Sequence, residues 1–190
     1  MRTLLTTARL HLRPFLLADA EELHALFSDP QTHTIGSGPF TSLSQTQQWI
    51  QNRIDAQSEH GLCWYALRDK GTDALIGNCG MLRGRTSYAE PEIGYMIRKT
   101  YQGQGLATEA ATAVLNECRS SGIQRVWASI RPHNTASRLI AQRLGMQAER
   151  TEHDDRGALI FYTIDLREPA PAKASTQPSA TGHALRKSES

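Results

Sequence analysis

The amino-acid sequence predicts one mixed α/β domain built on a largely antiparallel sheet. Two strand patterns separated by turn residues, Leu62 to Arg68 and Ala74 to Leu82, lead into a third that begins at Glu92, which indicates an antiparallel meander. A helical segment then separates the third strand from a strand pattern at Arg125 to Ile130, and this is enough chain for a parallel crossover. Antiparallel neighbours and one parallel connection are therefore expected in the same sheet.

The amino-terminal segment predicts a strand and then a helix. Apolar and polar residues alternate from Ala8 to Pro14, as in a half-buried strand. Asp19 is the expected N-cap of the following helix, and Asp29-Pro30 ends it because the residue before proline avoids the helical conformation. Two glycines and a proline between Gln31 and Thr41 then predict a loop.

A second helix follows this loop and precedes the meander. Ser44 is its expected N-cap, and the helix should end near Gly61. The turn between the first two strands of the meander is predicted from Lys70 to Asp73, and the next turn from Gly84 to Tyr88.

The second half of the domain predicts two more helices and three strands. The helix before the Arg125 to Ile130 strand should stop at Gly122. Asn134 opens a further helix, closed by Gly145. Two last strands, Met146 to Thr151 and Leu159 to Leu166, surround a polar turn.

The domain is expected to span residues 1–166 of the 190, and residues 167–190 are expected to form a disordered tail. This terminal stretch is rich in Pro, Ala, Ser and Thr and has no aromatic residue. It cannot bury enough apolar surface to offset the entropy of ordering.

Composition excludes several classes of function. The net charge of +2 gives no strong signal for nucleic acid or for a membrane surface, and no run of about 18 apolar residues is present. Met1 to Leu5 is followed by polar residues rather than by the core of a secretion signal. Cys63, Cys79 and Cys118 match neither a metal motif nor a disulfide framework, so no metal is expected. Buried reduced thiols and a cytoplasmic location are the resulting expectation.

The stretch around which the chain is organised is the glycine-rich turn from Tyr101 to Ala107, between the apolar segment ending at Ile97 and an Ala-rich helix. Glycines let backbone N–H groups approach an anion, and a helix N-terminus adds unpaired donors and a favourable dipole. No Lys-Ser or Lys-Thr follows, as a Walker loop requires, and the third glycine of the dinucleotide fingerprint is missing. An ordinary strand-to-helix turn is the alternative interpretation. The residues Gln102 to Ala107 also match the pattern Gln-x-x-Gly-x-Ala.

Four motifs together resemble the GNAT N-acetyltransferases, in that family's order and spacing. They are Ile93-Gly94-Tyr95, the stretch Tyr101 to Ala110, the helix start Asn134 to Leu139, and Leu144-Gly145-Met146. Within the family the chain is most similar to the ribosomal-protein N-terminal acetyltransferases of the RimJ/RimL type and their small-amine relatives. The similarity covers roughly Leu4 to Leu166. It implies a GNAT-like sheet flanked by helices, whose splayed parallel strand pair holds acetyl-CoA as donor.

The resemblance also implies which residues bind the cofactor. The loop backbone would donate to the pyrophosphate, the strand end would pair with the pantetheine arm, and Asn134 would contact the cofactor or only cap its helix. The expected cofactor-binding residues are Ile97, Gln102, Gly103, Gln104, Gly105, Leu106, Ala107, Thr108 and Asn134.

Glu92 is the expected catalytic base. An acceptor amine attacks a thioester only when neutral, and a lysine at pH 7.4 must give up roughly 4 kcal/mol to deprotonate. Glu92 begins the strand that leads into the loop, where a family carboxylate often takes the proton through water. A base there would need a pKa raised by burial toward about 6 to 7. An exposed strand-edge role for Glu92, and Glu90 as the base, are the alternatives.

The proton path to the leaving thiolate is less complete in this sequence. Many relatives carry a tyrosine seven residues after the asparagine, and this chain has Ala141 there. Ser137 occupies a position where the RimL-like branch has a serine thought to help the thiolate. Its alternative role is to satisfy backbone donors in the first turn of the helix.

The sequence therefore predicts an N-acetyltransferase that moves an acetyl group from acetyl-CoA directly to a primary amine. A protein N-terminus, an amino acid, an antibiotic or a polyamine all fit as acceptor, and His33 lies in the loop expected on the acceptor side. The chain would act as a monomer or homodimer. A non-catalytic acyl-CoA-binding module is the alternative, which Ala141 favours and which Glu92 and Ser137 oppose.

Overall fold

The computed structural model describes residues 1–32 and 38–167. The predicted tail lies outside this range apart from Arg167, and His33 lies in the gap. The helices are α1 (Ala20–Phe27), α2 (Leu43–His60), α3 (Leu106–Ser120) and α4 (Thr135–Arg143). The strands are β1 (Leu5–Thr6), β2 (Leu10–Pro14), β3 (Trp64–Asp69), β4 (Leu75–Leu82), β5 (Glu92–Ile97), β6 (Arg125–Ile130), β7 (Gln147–Asp154) and β8 (Gly157–Asp165).

The eight strands form one sheet in the order β1-β2-β3-β4-β5-β6-β8-β7. Every neighbouring pair is antiparallel except β5 and β6, which are parallel. This parallel pair has a single register contact, Glu92 opposite Trp127. The predicted mixed, largely antiparallel sheet is confirmed, and its one parallel pair separates soon after it forms.

Helices cover both faces of the sheet. On one face α1 and α2 pack on β3, β4 and β5 through a cluster that includes Phe27, Ile50 and Trp64. On the other face α3 packs through Ala110, Val114 and other buried residues on its apolar side. Because side chains alternate along a strand, β5 contributes to both clusters.

The alternation along β5 decides which residues face which helices. Met96 belongs to the cluster under α1 and α2, and Gly94 lies beneath the Trp64 indole of that cluster. Ile93 and Ile97 belong to the cluster under α3. Glu92, two residues before Gly94, therefore lies on the α1 and α2 face.

The predicted N-cap of α2 is wrong, and the predicted N-cap of α1 holds its position without capping the helix. The N-cap of α2 is Ser42, because its hydroxyl accepts the Gln45 N–H while the Gln45 side chain accepts the Ser42 N–H, which is a capping box. Asp19 precedes α1 but makes no capping hydrogen bond. Its buried carboxylate instead accepts from the Arg13 guanidinium, at 2.6 and 2.8 Å, and from the Leu16 N–H.

The strand boundaries differ at both ends of the chain. Strand β2 begins at Leu10 instead of Ala8, and the short β1 strand was missed because two residues carry no periodic pattern. The last two strands run longer than predicted, to Asp154 and from Gly157, because residues 155 and 156 alone make the turn. The first of them, β7, is exposed except at its last residue, so no apolar periodicity marked where the predicted strand ends.

The three cysteines are buried and free, as predicted. Burial raises the pKa of the Cys63 thiol to about 12, which keeps it protonated and unreactive. None of the described helices combines the length and apolar character needed to cross a membrane.

Candidate active site

The carboxyl end of β5 leads into α3 through a turn that holds two glycines in the left-handed conformation. Gly103 has φ of 77° and Gly105 has φ of 78°, where a side chain would be strained. Gly105 is the N-cap of α3, and its carbonyl accepts the Glu109 N–H at 3.0 Å. The start of α3 therefore presents backbone N–H groups rather than side chains.

Unpaired donors converge at this helix start. Leu106, Ala107 and Thr108 are the first three residues of α3, so their N–H groups have no acceptor within the helix. The Thr108 Oγ1 atom is buried and has no hydrogen-bond partner in the described part of the chain. A buried hydroxyl without a partner costs free energy, so this group is ready to donate to a bound anion.

Gln102 has a different role from the one predicted. Its N–H donates to the Lys99 carbonyl at 3.2 Å, within the 3-10 turn at Lys99–Tyr101, and is not free for an anion. Its side-chain amide donates to the Ile97 carbonyl at 2.8 Å. Gln102 thus ties the loop to the end of β5. The backbone N–H groups from Gly103 onward remain the candidate donors to an anion.

The edge of β5 that faces β6 is open beyond Glu92. The Arg98 N–H donates to Ile76 of β4, so the backbone groups of Ile97 and Tyr95 turn the other way, toward the gap. Gln102 occupies the Ile97 carbonyl, which leaves the Ile97 N–H for an extended ligand chain.

A cleft of about 340 Å³ lies between the end of β5, the loop, the start of α3 and α4. Of the predicted cofactor-binding residues, all but Gln104 line it. Its lining residues are Thr32, Tyr95, Met96, Ile97, Tyr101, Gln102, Gly103, Gly105, Leu106, Ala107, Thr108, Asn134, Ala136, Ser137, Leu139, Ile140 and Arg143. Gln104 lies outside, where its carbonyl accepts from Arg9 at 2.9 Å.

The start of α4 closes one side of the cleft. Asn134 caps this helix, since its side-chain oxygen accepts the Ser137 N–H at 3.1 Å. The Ser137 carbonyl accepts the Tyr95 hydroxyl at 3.1 Å, and the Ser137 side chain also lies within hydrogen-bonding reach of that hydroxyl. Ala141, which belongs to α4, is fully buried.

Glu92 does not line this cleft; it is the β5 partner in the single β5–β6 register contact. It is buried, with 6% exposed, so the exposed-edge alternative is wrong. Its carboxylate accepts the Arg85 N–H and, at 2.6 Å, the Ser129 hydroxyl of β6. Glu90 is more exposed and accepts the Trp127 indole N–H at 2.9 Å.

Several residues of the cleft were not among the predicted site residues, and two of them have side chains that bear on the chemistry. Tyr95 reaches α4 from β5, and burial raises the pKa of its hydroxyl, which keeps it protonated. Arg143 lines both this cleft and a shallower one beside α3, and has no acidic partner among the described residues. Tyr95 is part of the Ile93-Gly94-Tyr95 motif, and strand alternation puts it on the same face of β5 as the predicted site residue Ile97, so the sequence contained a signal for it. No signal in the sequence pointed to Arg143.

The donor set fits a long, phosphate-bearing thioester. The helix start and the Thr108 hydroxyl suit a pyrophosphate, and the open β5 edge suits an extended amide-containing arm. A splayed parallel pair above an anion-binding helix start defines an acyltransferase that takes its acyl group from a coenzyme A thioester. The family profile described as acetyltransferase (GNAT) domain matches residues 9–147, and the chain belongs to this family.

Comparison with known proteins agrees with this assignment. An uncharacterized N-acetyltransferase, p20 of Bacillus licheniformis, is 33% identical over 168 residues, covering 85% of this chain and 94% of the relative. A GNAT-family acetyltransferase structure from Bordetella pertussis has a TM-score of 0.75 at 25% identity, covering 85% of this chain and 99% of that one. RimL, a ribosomal L7/L12 N-terminal acetyltransferase in complex with coenzyme A, shares the fold with a TM-score of 0.75 at 18% identity, covering 85% of this chain and 97% of that one.

The predicted family is therefore confirmed, and with it the class of enzyme. The chain is an acetyl-CoA-dependent N-acetyltransferase of the GNAT family.

Proposed function

We propose that this enzyme transfers the acetyl group of acetyl-CoA directly to a primary amine, with Glu92 assisting deprotonation. The observation that carries the proposal is the position of Glu92: a buried carboxylate beside the point where β5 and β6 part, on the face opposite α3. The thioester would lie in the cleft on one side of the gap, and the amine would approach from the other.

The chemistry requires a neutral amine. An α-amino group is partly neutral at cellular pH, whereas deprotonating a lysine at pH 7.4 costs roughly 4 kcal/mol. Within the described part of the chain, Glu92 accepts two hydrogen bonds, from Arg85 and Ser129, while a carboxylate has about four lone-pair sites. The remaining lone pairs of the Glu92 carboxylate can accept a proton from the ammonium group directly or through a water molecule.

Cofactor binding would rest on the loop and the start of α3. Gly103, Gly105, Leu106, Ala107 and Thr108 supply the pyrophosphate donors, and the Ile97 N–H pairs with the pantetheine arm. Asn134 caps α4 through its oxygen, which leaves its amide nitrogen for the cofactor. The exposed cation of Arg143 suits a further phosphate.

For the leaving thiolate we propose a hydrogen bond from the Ser137 hydroxyl. Ala141 offers no proton, whereas Ser137 lines the cleft with its hydroxyl beside that of Tyr95. Tyr95 acts as a positioning residue, because its hydroxyl holds the Ser137 carbonyl in the first turn of α4. We further propose a cytoplasmic location, where the buried thiols stay reduced.

The test is thioester turnover by the full chain with a panel of peptides and small amines. Release of free coenzyme A should depend on the amine, and mass spectrometry should find the acetylated amine. Acetyl-CoA binding without turnover of any amine would favour the non-catalytic acyl-CoA-binding module instead.

A further inference from the structure

A cluster of buried and half-buried residues on the α1 and α2 face takes no part in the chemistry described so far. Arg53 of α2 stacks on two tryptophans, with its Cζ atom 4.5 Å from the Trp49 ring centroid and 4.9 Å from that of Trp64. The Trp64 indole N–H donates to the Asn78 side-chain oxygen at 3.1 Å. A guanidinium, two indoles and an amide thus form one contiguous group.

Among the described residues, the cluster holds two buried donor atoms that have no acceptor. The Arg53 Nε and the Asn78 Nδ2 atoms are buried without a hydrogen-bond partner in the described part of the chain. No carboxylate of the described residues pairs with Arg53, and burial alone lowers its pKa. Stacking on aromatic rings offsets only part of the cost of burying a cation.

The cluster reaches the point where β5 and β6 separate. The Trp64 indole lies directly over Gly94, because a Cβ atom on that glycine would come within 2.6 Å of the ring. Glu92 and Met96 flank Gly94 on the same face of β5, and Met96 is opposite Asn78 in the ladder. Asn78 therefore lies on one side of Gly94 and Glu92 on the other, and Arg53 stacks on the indole that covers Gly94.

We infer that Arg53 and Asn78 form a carboxylate-binding subsite, and that the acceptor is an amine that also carries a carboxylate, as an α-amino acid does. The planar guanidinium presents paired N–H donors that match the two oxygens of a carboxylate, and the Asn78 amide adds one more. Glu92 then faces the amine end, so the two ends of a zwitterion meet opposite charges. This inference rests on the proposed acetyl transfer to an amine.

The kinetic test compares each L-amino acid with its carboxamide, which has the same side chain and amine but no negative charge. With the native chain, kcat/KM should be about 10- to 100-fold higher for the acid, the range of a lost charge-assisted hydrogen bond. Arg53→Met keeps much of the stacking bulk and should bring the ratio to about one. Arg53→Lys keeps the charge without the planar fork and should retain part of the preference.

The matched control is Arg156→Met, in the exposed turn between β7 and β8, which removes a cation that has no contact with the cluster among the described residues. Its acid-to-amide ratio should equal that of the native chain. Equal turnover of acids and amides by the native chain, or a preference that survives Arg53→Met, would overturn the subsite while leaving acetyl transfer intact. That outcome would favour a peptide N-terminus with a neutral carbonyl.

A binding test that needs no turnover separates the two proposals. We expect 3-phenylpropionate, which has no amine, to change tryptophan fluorescence on titration, because Trp49 and Trp64 contact Arg53. The matching 3-phenylpropanamide should bind at least tenfold more weakly, and Arg53→Met should abolish the difference. Arg53-dependent carboxylate binding without acetylation of any amine would overturn the proposed function alone. Equal binding of the acid and the amide would count against the subsite.

Discussion

Arg9 and Glu109 hold the glycine-rich loop from outside, across a sequence separation of 100 residues. The Arg9 Nη2 atom lies 2.6 Å from the Glu109 Oε2 atom, and another nitrogen of the guanidinium donates to the Gln104 carbonyl at 2.9 Å. The amino-terminal segment is thereby tied both to the loop and to the first turn of α3. Neither residue lines the main cleft, so an effect of either on the proposed cofactor site would pass through the loop.

Replacing Arg9 by Met should loosen the loop and weaken acetyl-CoA binding by about 3- to 10-fold, as expected when a partly exposed ion pair is lost. Calorimetric affinity is the measurement. Arg2→Met is the control, because Arg2 pairs with Glu117 near the other end of α3, at 2.6 Å. This control should lower the melting temperature without changing the affinity. Equal affinity losses in both variants would contradict a role specific to the loop.

Gly105 should be required for the shape of the loop. Its φ of 78° disfavours any side chain, so Gly105→Val should displace the backbone donors and weaken acetyl-CoA binding, with the fold retained. Gly122 at the end of α3 has φ of 79° and open space around it. Gly122→Ala should therefore cost about 1 kcal/mol of stability and leave the affinity alone. Unchanged affinity in a folded Gly105→Val chain would refute the assignment of the loop.

Thr108 should show opposite effects on stability and on binding. Thr108→Val removes a buried hydroxyl that has no partner in the described chain, so the melting temperature should hold or rise. Acetyl-CoA affinity should fall by about 10- to 100-fold, because a hydrogen bond to a charged group is lost. Calorimetry and thermal melting measure the two effects.

Thr46 provides the matched control for Thr108. This threonine is also buried on a helix, but its hydroxyl has a partner, the His24 Nδ1 atom at 2.9 Å. Thr46→Val should lower the melting temperature and leave the affinity unchanged. If Thr108→Val behaves in the same way, its hydroxyl has a structural partner and does not bind the pyrophosphate.

Glu92→Gln should lower the rate at neutral pH by about 10²-fold, the lower part of the general-base range. Acetyl-CoA affinity should change little, since Glu92 lies outside the cleft. Raising the pH should partly restore the rate, because free amine then forms without help. The measurement is a pH–rate profile, and Glu90→Gln is the control, with an expected loss below about threefold. Coincident profiles for Glu92→Gln and the native chain would show that another group, or the solvent, takes the proton.

Local patterns in the sequence were enough to predict most elements of the fold. The bounds of β5 and β6 matched because continuous apolar runs mark buried strands, and Gly61 and Gly122 marked helix ends because left-handed caps favour glycine. The loop from Tyr101 to Ala107 could be assigned because its chemistry is carried by backbone geometry that the glycines encode locally. The exposed β7 strand was predicted only as far as Thr151, because its polar continuation to Asp154 carries no apolar periodicity.

Contacts between distant residues could be decided only by the tertiary structure. The sequence alone determined that Gln102 and Glu92 belong near the site, through the loop motif and the strand that precedes it. Folding decided that Gln102 ties the loop to Ile97, and that Glu92 is buried against Ser129, 37 residues away. The Arg53 cluster likewise joins α2, β3 and β4, which have no common local pattern. Periodicity records which face of its own element a residue occupies, whereas its partners are set by how the elements pack.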